Sequence, residues 1–153
     1  MTSTYNFYMQ ECTKDGVLIE GTKKNLEVDF DGLKYSRMEG METIGAAKNI
    51  YTETFADSNK LKVHMPTEVL HKPTDITLTV FFIGKNRRKT YDEFNAYIRK
   101  GFHKYWDDAR KKWFIFYVSD EIKPADQKWH GSEPYLKMSY KLKNIYGMTF
   151  DLE

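Results

Sequence analysis

The chain has 153 residues, of which 41% are hydrophobic and 16% aromatic, and its net charge is +2. This length suits one domain with one core, so we expect residues 1–153 to form a single domain. The aromatic content favours sheets, and the balanced charge argues against a nucleic-acid protein, which would need a basic face. Because Cys12 is the single cysteine, no intrachain disulfide can form and folding needs no oxidising compartment.

The start of the sequence lacks the basic head and apolar stretch of a signal peptide. No apolar run approaches the length that spans a bilayer. These two patterns predict a chain that is made in the cytoplasm, has no membrane partner and leaves a cell by lysis or through a dedicated route.

The first third of the chain is typical of short strands separated by turns. Residues 4–10 are aromatic and β-prone, and residues 16–19 follow a turn signal that ends in Gly16. Together these segments predict a first hairpin. Residues 26–30 alternate apolar and acidic side chains, which is the period of a half-buried strand.

Residues 37–58 lack a sustained period and predict a long loop or an extended hairpin, with a short strand around Tyr51. The segment is too apolar for a solvated linker. It therefore packs either on its own domain or on a partner surface. The residues that make it a candidate interface are Met38, Met41, Ile44, Ile50, Tyr51 and Phe55.

Two alternating strands are predicted next, at residues 60–65 and 75–83. The second strand ends apolar on both faces, at Phe81, Phe82 and Ile83. This indicates cover from both sides, one of them from a helix.

The clearest local pattern predicts a helix at about residues 90–100. Thr90 and Glu93 have the spacing of a capping box, and Gly101 is a plausible stop. An apolar stripe recurs at helical spacing and predicts the buried face. Its members are Tyr91, Phe94, Tyr97 and Ile98.

Residues 102–106 and 111–119 predict a hairpin after the helix. Its second strand is apolar on both faces, so it is either central in the sheet or part of an interface. One face carries Trp113, Ile115 and Tyr117. We add these three residues to the candidate interface.

The end of the chain is predicted to hold a polar loop at residues 120–134 and a strand at 135–144. This strand alternates clearly, with Leu136, Met138, Tyr140 and Leu142 inward and Lys137, Lys141 and Lys143 outward. Outward lysines discourage edge-to-edge aggregation. We favour this role for them over contact with a nucleic-acid backbone. The whole order predicts a mainly β fold of the α+β class, an antiparallel β-sandwich or barrel with one packed α-helix.

No catalytic, cofactor-binding or metal-ligating motif is present in the sequence. The four histidines form no pair or Cys/His cluster with zinc spacing. Cys12 is expected to be a buried strand residue. Asp107 and Asp108 are adjacent in a predicted hairpin turn, where acids usually form the turn. We therefore expect no enzyme activity.

The order of elements in the second half resembles a known family. A strand, DITLTVFFIG, leads to the capped helix KTYDEFNAYIRKG, then to the strand KKWFIFYVS and the lysine-striped strand YLKMSYKLKN. This arrangement, over residues 54–150, is similar to the β-sandwich-plus-helix domain shared by distal tail and tail-tube proteins of long-tailed bacteriophages and prophages. The chain is too short for the second, carbohydrate-binding-like domain of larger distal tail proteins.

The resemblance implies a structural subunit of a phage or prophage tail, found in the virion after assembly. It implies hexameric rings, with self and other tail proteins as partners and no specific nucleic acid. A closing ring needs two different complementary surfaces on each subunit. The alternative from the residues themselves is a β-sandwich module that binds carbohydrate or peptide through exposed aromatics such as Trp106, Trp113 and Trp129.

Overall fold

The structure is a computed structural model that describes residues 7–54 and 61–152, with side chains described for residues 7–50 and 63–152. The predicted fold class is confirmed, because antiparallel strands dominate and two helices accompany them in the described part of the chain. The elements are β1 (Phe7–Glu11), β2 (Lys24–Asn25), α1 (Leu26–Asp29), β3 (Leu33–Glu39), β4 (Tyr51–Thr54), β5 (Leu61–His64), β6 (Thr74–Phe82), α2 (Arg87–Ile98), β7 (His103–Asp107), β8 (Lys112–Val118), β9 (Asp126–His130), β10 (Glu133–Asn144) and β11 (Phe150–Asp151).

Within the described residues, nine strands belong to one antiparallel sheet in the order β2-β1-β7-β8-β10-β6-β3, with β9 paired to β10 and β11 to β8. The long pair β6–β10 runs in register from Leu136 opposite Phe82 to Asn144 opposite Thr74. By contrast, β8 meets β10 over three residue pairs only. The two halves of the sheet diverge from that short junction and form two layers.

The core lies between the two layers. The ring of Phe7 on β1 stacks on that of Tyr35 on β3, with centroids 4.0 Å apart, so the two ends of the strand order face each other. The predicted alternation of β10 is confirmed: its four inward residues are at most 5% exposed. Burying these side chains contributes roughly 1.5–3 kcal/mol each to stability.

Helix α2 connects the two layers through its predicted apolar stripe. Phe94 contacts the rings of Phe82 and Tyr140 in one layer, and Tyr97 contacts the ring of His103 in the other. Four side chains of the stripe are at most 8% exposed: Tyr91, Phe94, Tyr97 and Ile98. The helix thus supplies the predicted cover for the end of β6.

The predicted capping box is wrong. Helix α2 begins at Arg87, and its N-cap residue is Asn86. Thr90 is buried inside the helix, where its hydroxyl donates to the carbonyl of Asp31 at 2.6 Å. The basic residues before Thr90 are good helix formers, so the helix starts almost one turn earlier. It ends at Ile98, and Gly101, with φ of 118°, lies in the turn to β7.

Two other local predictions are wrong. Residues 26–30 contain the short helix α1, which buries Leu26 and Phe30 at i, i+4 and leaves Val28 73% exposed. A strand would have placed all three on one face. Residues 120–134 contain β9, whose side chains are all exposed. Backbone pairing with β10 forms this strand, so no apolar pattern marks it.

The first predicted hairpin forms only in part. Strand β1 pairs with β7 and β2, while residues 16–19 contribute a single bridge, between Leu18 and Cys12. Cys12 is buried and free, as expected. The predicted hairpin after α2 is confirmed as β7 and β8.

Candidate interaction surfaces

Residues 45–54 and 61–72, which we call the arm, leave the sandwich beside the start of β6. Strands β4 and β5 within it pair with each other as a separate two-stranded sheet. Nearer the base, Ala47 bridges His71, and the His71 ring nitrogen Nδ1 lies 2.8 Å from the Gly45 carbonyl oxygen. An isolated two-stranded ribbon is marginally stable in water, so the arm is a natural element to bury against another surface.

Close backbone packing fixes the base of the arm. The Gly45 amide donates to the carbonyl of Gly147 at 2.7 Å. A Cβ atom at Gly45 would lie 1.9 Å from the Lys72 carbonyl oxygen, and one at Gly147 would lie 2.1 Å from the same oxygen. Glycine is therefore required at both positions. The close contacts hold both ends of the arm, at Gly45 and Lys72, against Gly147 in the chain that follows β10.

The arm presents apolar side chains to solvent. Val63 is 45% exposed and Met65 62%, and Ile44 at the base is 65% exposed. Val69 and Leu70 are also exposed, at 36% and 44%. Exposed apolar residues that occur together mark interaction sites more often than those that occur singly.

The predicted interface residues separate into two groups. Met38, Met41 and Ile115 are at most 4% exposed, so within this chain they belong to the interior. Ile115 is covered by the turn at Gly16, where an added Cβ would lie 3.1 Å from the Ile115 Cδ1 atom.

The remaining predicted interface residues reach the surface or lie outside the described side chains. Ile44 is exposed, Ile50 and Trp113 are half-buried, and Tyr117 is 37% exposed. Tyr51 lies on β4 without a described side chain, and Phe55 lies outside the described residues. The interface role of these nine residues stays a prediction. It now applies mainly to those that are exposed.

An apolar groove of about 470 Å³ lies at the far end of the β6–β10 pair from the arm. Its apolar lining comes from Phe81, Ile83, Pro134 and Tyr135, and its polar rim from Lys34, His130 and Glu133. The sequence pattern predicts that the strand end at Phe81 and Ile83 is apolar on both faces, but it does not indicate a groove. The groove arises because β10 brings Pro134 and Tyr135 beside them.

Four aromatic residues on the outer face of the other layer form what we call the aromatic row: Tyr8, Trp106, Trp113 and Phe150. They are directly opposite one another in register on β1, β7, β8 and β11. Tyr8 stacks on Trp106 with centroids 5.5 Å apart, and Trp113 stacks on Phe150 at 4.6 Å. All four residues are half-buried. No local pattern indicates this alignment, because Tyr8 and Phe150 come from opposite ends of the chain.

Asp107 is the buried acceptor of a polar cluster at the β7–β8 turn. Its Oδ1 atom accepts from the amides of Ala109 and Arg110, at 2.7 and 3.1 Å. Its Oδ2 atom accepts from the Tyr105 hydroxyl and from Arg110 Nη1, both at 3.4 Å. Burial raises the pKa of Tyr105 well above its usual value, so the phenol remains a donor. Asp107 is thus a turn former, as expected, and is 1% exposed.

His103 is fully buried between the rings of Tyr97 and Phe116. Its Nδ1 atom lies 3.1 Å from the Gly101 carbonyl oxygen and must donate to it. In the neutral ring Nε2 is then an acceptor, and it has no hydrogen-bond partner among the described residues. Burial lowers the pKa of His103 below its usual value of 6.5, against smaller opposing effects of the Gly101 hydrogen bond and the Glu11 charge.

We expect His103 to make folding sensitive to acid. Because its folded pKa lies below 6.5, the unfolded chain binds protons more readily, so this stabilisation is complete above pH 6.5 and is lost as the pH falls towards the folded pKa. In His103→Gln, the free energy of unfolding, measured in urea between pH 7.5 and 5, should depend less on pH. The exposed His130→Gln is the control. An equally steep pH dependence in His103→Gln would exclude His103 as its source.

The described residues offer no obvious reaction centre. Within this part of the chain, no group of three or more His, Cys, Asp or Glu side chains is arranged to hold a metal ion. Burial raises the pKa of the Cys12 thiol, which disfavours the nucleophilic thiolate. No helix in the same part combines the length and apolar character needed to cross a membrane.

No protein-family model and no curated protein matches the sequence. Among solved structures, the fold is similar to the Dit protein of phage SPP1, a paradigm of the hub adsorption apparatus in phages that infect Gram-positive bacteria. The TM-score is 0.52 at 9% sequence identity, over 97% of this chain and 53% of the Dit chain. The chain therefore spans about half the length of that protein. The expected similarity to a phage tail protein is found at the level of the fold.

Proposed function

We propose that this protein is a structural subunit of a phage or prophage tail, of the distal-tail or tail-tube type, and acts by self-association into a ring rather than by catalysis. The observation that carries the proposal is the fold similarity to a tail hub protein over 97% of the chain. In this proposal the protein is made in the bacterial cytoplasm and ends in the virion tail, in contact with its own copies and other tail proteins.

The distribution of apolar surface supports a head-to-tail assembly. A closed ring needs two different surfaces that complement each other on neighbouring subunits. The arm ends next to Thr74, at one end of β6, and the apolar groove lies beside Phe81 and Ile83 at the other end. Nine residues of strand separate these two surfaces by roughly 25 Å. Two apolar surfaces at opposite ends of one element suit such a contact.

The test is the oligomeric state of the purified chain. Light scattering coupled to size-exclusion chromatography, over a range of protein concentrations, should give a mass that is a multiple of 18.2 kDa. Negative-stain electron microscopy of the large species should show closed rings. If the chain stays monomeric at high concentration, both alone and mixed with tail proteins encoded beside it, the proposal is contradicted.

A second candidate function, carbohydrate or peptide binding, is favoured by one observation. Trp129 on β9 is 62% exposed, and an open indole face can stack on a sugar ring. Trp106 and Trp113 suit this role less well, because each is stacked on a neighbouring ring.

For this second candidate, we expect Trp129→Ala to abolish any response of the protein to a panel of glycans, because it removes the exposed indole. Intrinsic fluorescence and a glycan array measure the response, and Trp113→Phe is the matched control. A wild-type protein that responds to no glycan would leave only the tail-assembly proposal.

A further inference from the structure

The aromatic row crosses four neighbouring strands and spans about 15 Å. Its rings stack across the strands, with interplanar angles of 24° for Tyr8–Trp106 and 27° for Trp113–Phe150. Rings that stack on cross-strand neighbours stand upright on the sheet, so their edges and not their faces point to solvent. The edge of an aromatic ring carries partial positive charge. The row is therefore a surface of weakly positive edges.

Two lysines add full positive charges to the row. The Lys23 Nζ atom lies 4.7 Å from the Tyr8 ring centroid and 5.0 Å from that of Trp106. The Lys104 Nζ atom lies 4.4 Å from the Trp113 centroid and 5.4 Å from that of Trp106. Cation–π contacts of this length hold an ammonium group in place without neutralising its charge.

Lys23 and Lys104 differ in this respect from two other lysines on the outer sheet faces. Lys143 is paired with Asp75 at 2.5 Å, and Lys112 with Asp151. Lys23 and Lys104 have no carboxylate within ion-pair distance among the described residues, although Lys104 is half-buried. Among the described residues, neither charge is therefore neutralised by an ion pair of its own. The Asp151 carboxylate lines the same depression as Lys104 but pairs with Lys112.

These features together point to an anionic ligand. We propose that the aromatic row, with Lys23 and Lys104, binds an acidic peptide segment of a partner protein. Carboxylates of alternate residues in an extended segment are about 7 Å apart, so two of them fit within the length of the row. There they can accept from the two ammonium groups, while the ring edges contact the chain between them.

A nucleic acid fits this surface less well. Single strands bind by stacking their bases on open aromatic faces, and the faces here are occupied by other rings and by lysines. Duplex DNA carries one charge per about 1.7 Å, and its binding depends on several phosphate contacts. Two lysines provide too few. The surface lies within one copy of the chain, so peptide binding there is independent of ring formation.

The row contains its own probe, since it holds two of the three tryptophans. In the full chain carrying Trp129→Phe, the fluorescence of Trp106 and Trp113 reports on the row alone. A decamer of glutamate should change this fluorescence at low salt, and the change should weaken as salt is added. A decamer of glutamine should have no effect.

The lysine variants identify the site. Replacing Lys23 and Lys104 together by glutamine should weaken binding of the glutamate decamer about tenfold, the loss expected for two exposed ion pairs. The matched control replaces Lys128, which is exposed like Lys23, and Lys137, which is half-buried like Lys104. Both lie outside the row, and this variant should bind as the parent does. Circular dichroism checks that each variant is folded.

Three results would overturn the inference: no fluorescence response to the glutamate decamer, equal binding by the Lys23/Lys104 variant, or tighter binding of a short DNA duplex through the same two lysines. The last result would assign the surface to nucleic acid. None of the three bears on self-association, which light scattering tests separately.

Discussion

Replacing Val63 and Met65 together by glutamate is expected to leave the chain folded and to weaken its self-association by about 100-fold or more. The two positions lie two residues apart in an extended segment, so their side chains share one face of the arm. Both are exposed in the single chain, so the substitutions remove no core packing. In an assembly they would place two charges in an apolar contact, where each is costly.

The matched control replaces Val17 and Val28 by glutamate. These valines are 64% and 73% exposed and lie outside the arm. Sedimentation velocity over a concentration series measures the association constant, and urea unfolding confirms that the variants are folded. If the control loses association as strongly as the arm variant, the loss comes from the added negative charge and not from the position of the substitutions. If neither variant loses it, the arm is not the contact.

Asp107→Ala is expected to lower the free energy of unfolding by about 2–3 kcal/mol, because partly or fully buried hydrogen-bond donors lose their acceptor. The substitution leaves the amides of Ala109 and Arg110 and the Tyr105 hydroxyl without their acceptor. It also releases the Arg110 guanidinium, whose Nη1 atom contacts the Met41 sulfur at 3.2 Å. The β7–β8 turn would then lose its connection to the chain that follows β3.

Urea unfolding followed by tryptophan fluorescence measures this effect. Asp108→Ala, next in the chain, is the control and should change stability by about 0.5 kcal/mol or less. Asp107→Asn keeps an acceptor for the two amides, so its cost should lie between the two. Equal stability of the Asp107→Ala and Asp108→Ala proteins would contradict the importance assigned to the buried carboxylate.

Local periodicity accounts for the elements that sequence reasoning predicted well. The stripe of α2 and the alternation of β10 each repeat over several residues, and every repeat points to the same buried face. Short segments lack this redundancy. The alternating pattern of residues 26–30 is compatible with a strand and also with one turn of helix. The helix forms because it buries Leu26 and Phe30 together.

Surfaces were harder to predict than elements, because exposure depends on which chain segment covers which. Met38 and Met41 are as apolar as Met65, yet the first two are buried and the third is exposed. Ile115 has the alternation of an outward residue and is covered by the turn at Gly16. Apolar character alone therefore could not separate core from interface.

The sequence by itself determined a mainly β chain with one amphipathic helix and without a recognisable catalytic motif, because composition and period are local properties. Only the tertiary structure decided where the functional surfaces lie. Strand pairing brings Tyr8 and Phe150, from opposite ends of the chain, into one row. Backbone contact at Gly45 and Gly147 sets the arm beside the end of β10. Register and close packing between distant segments have no signature in any single stretch of residues.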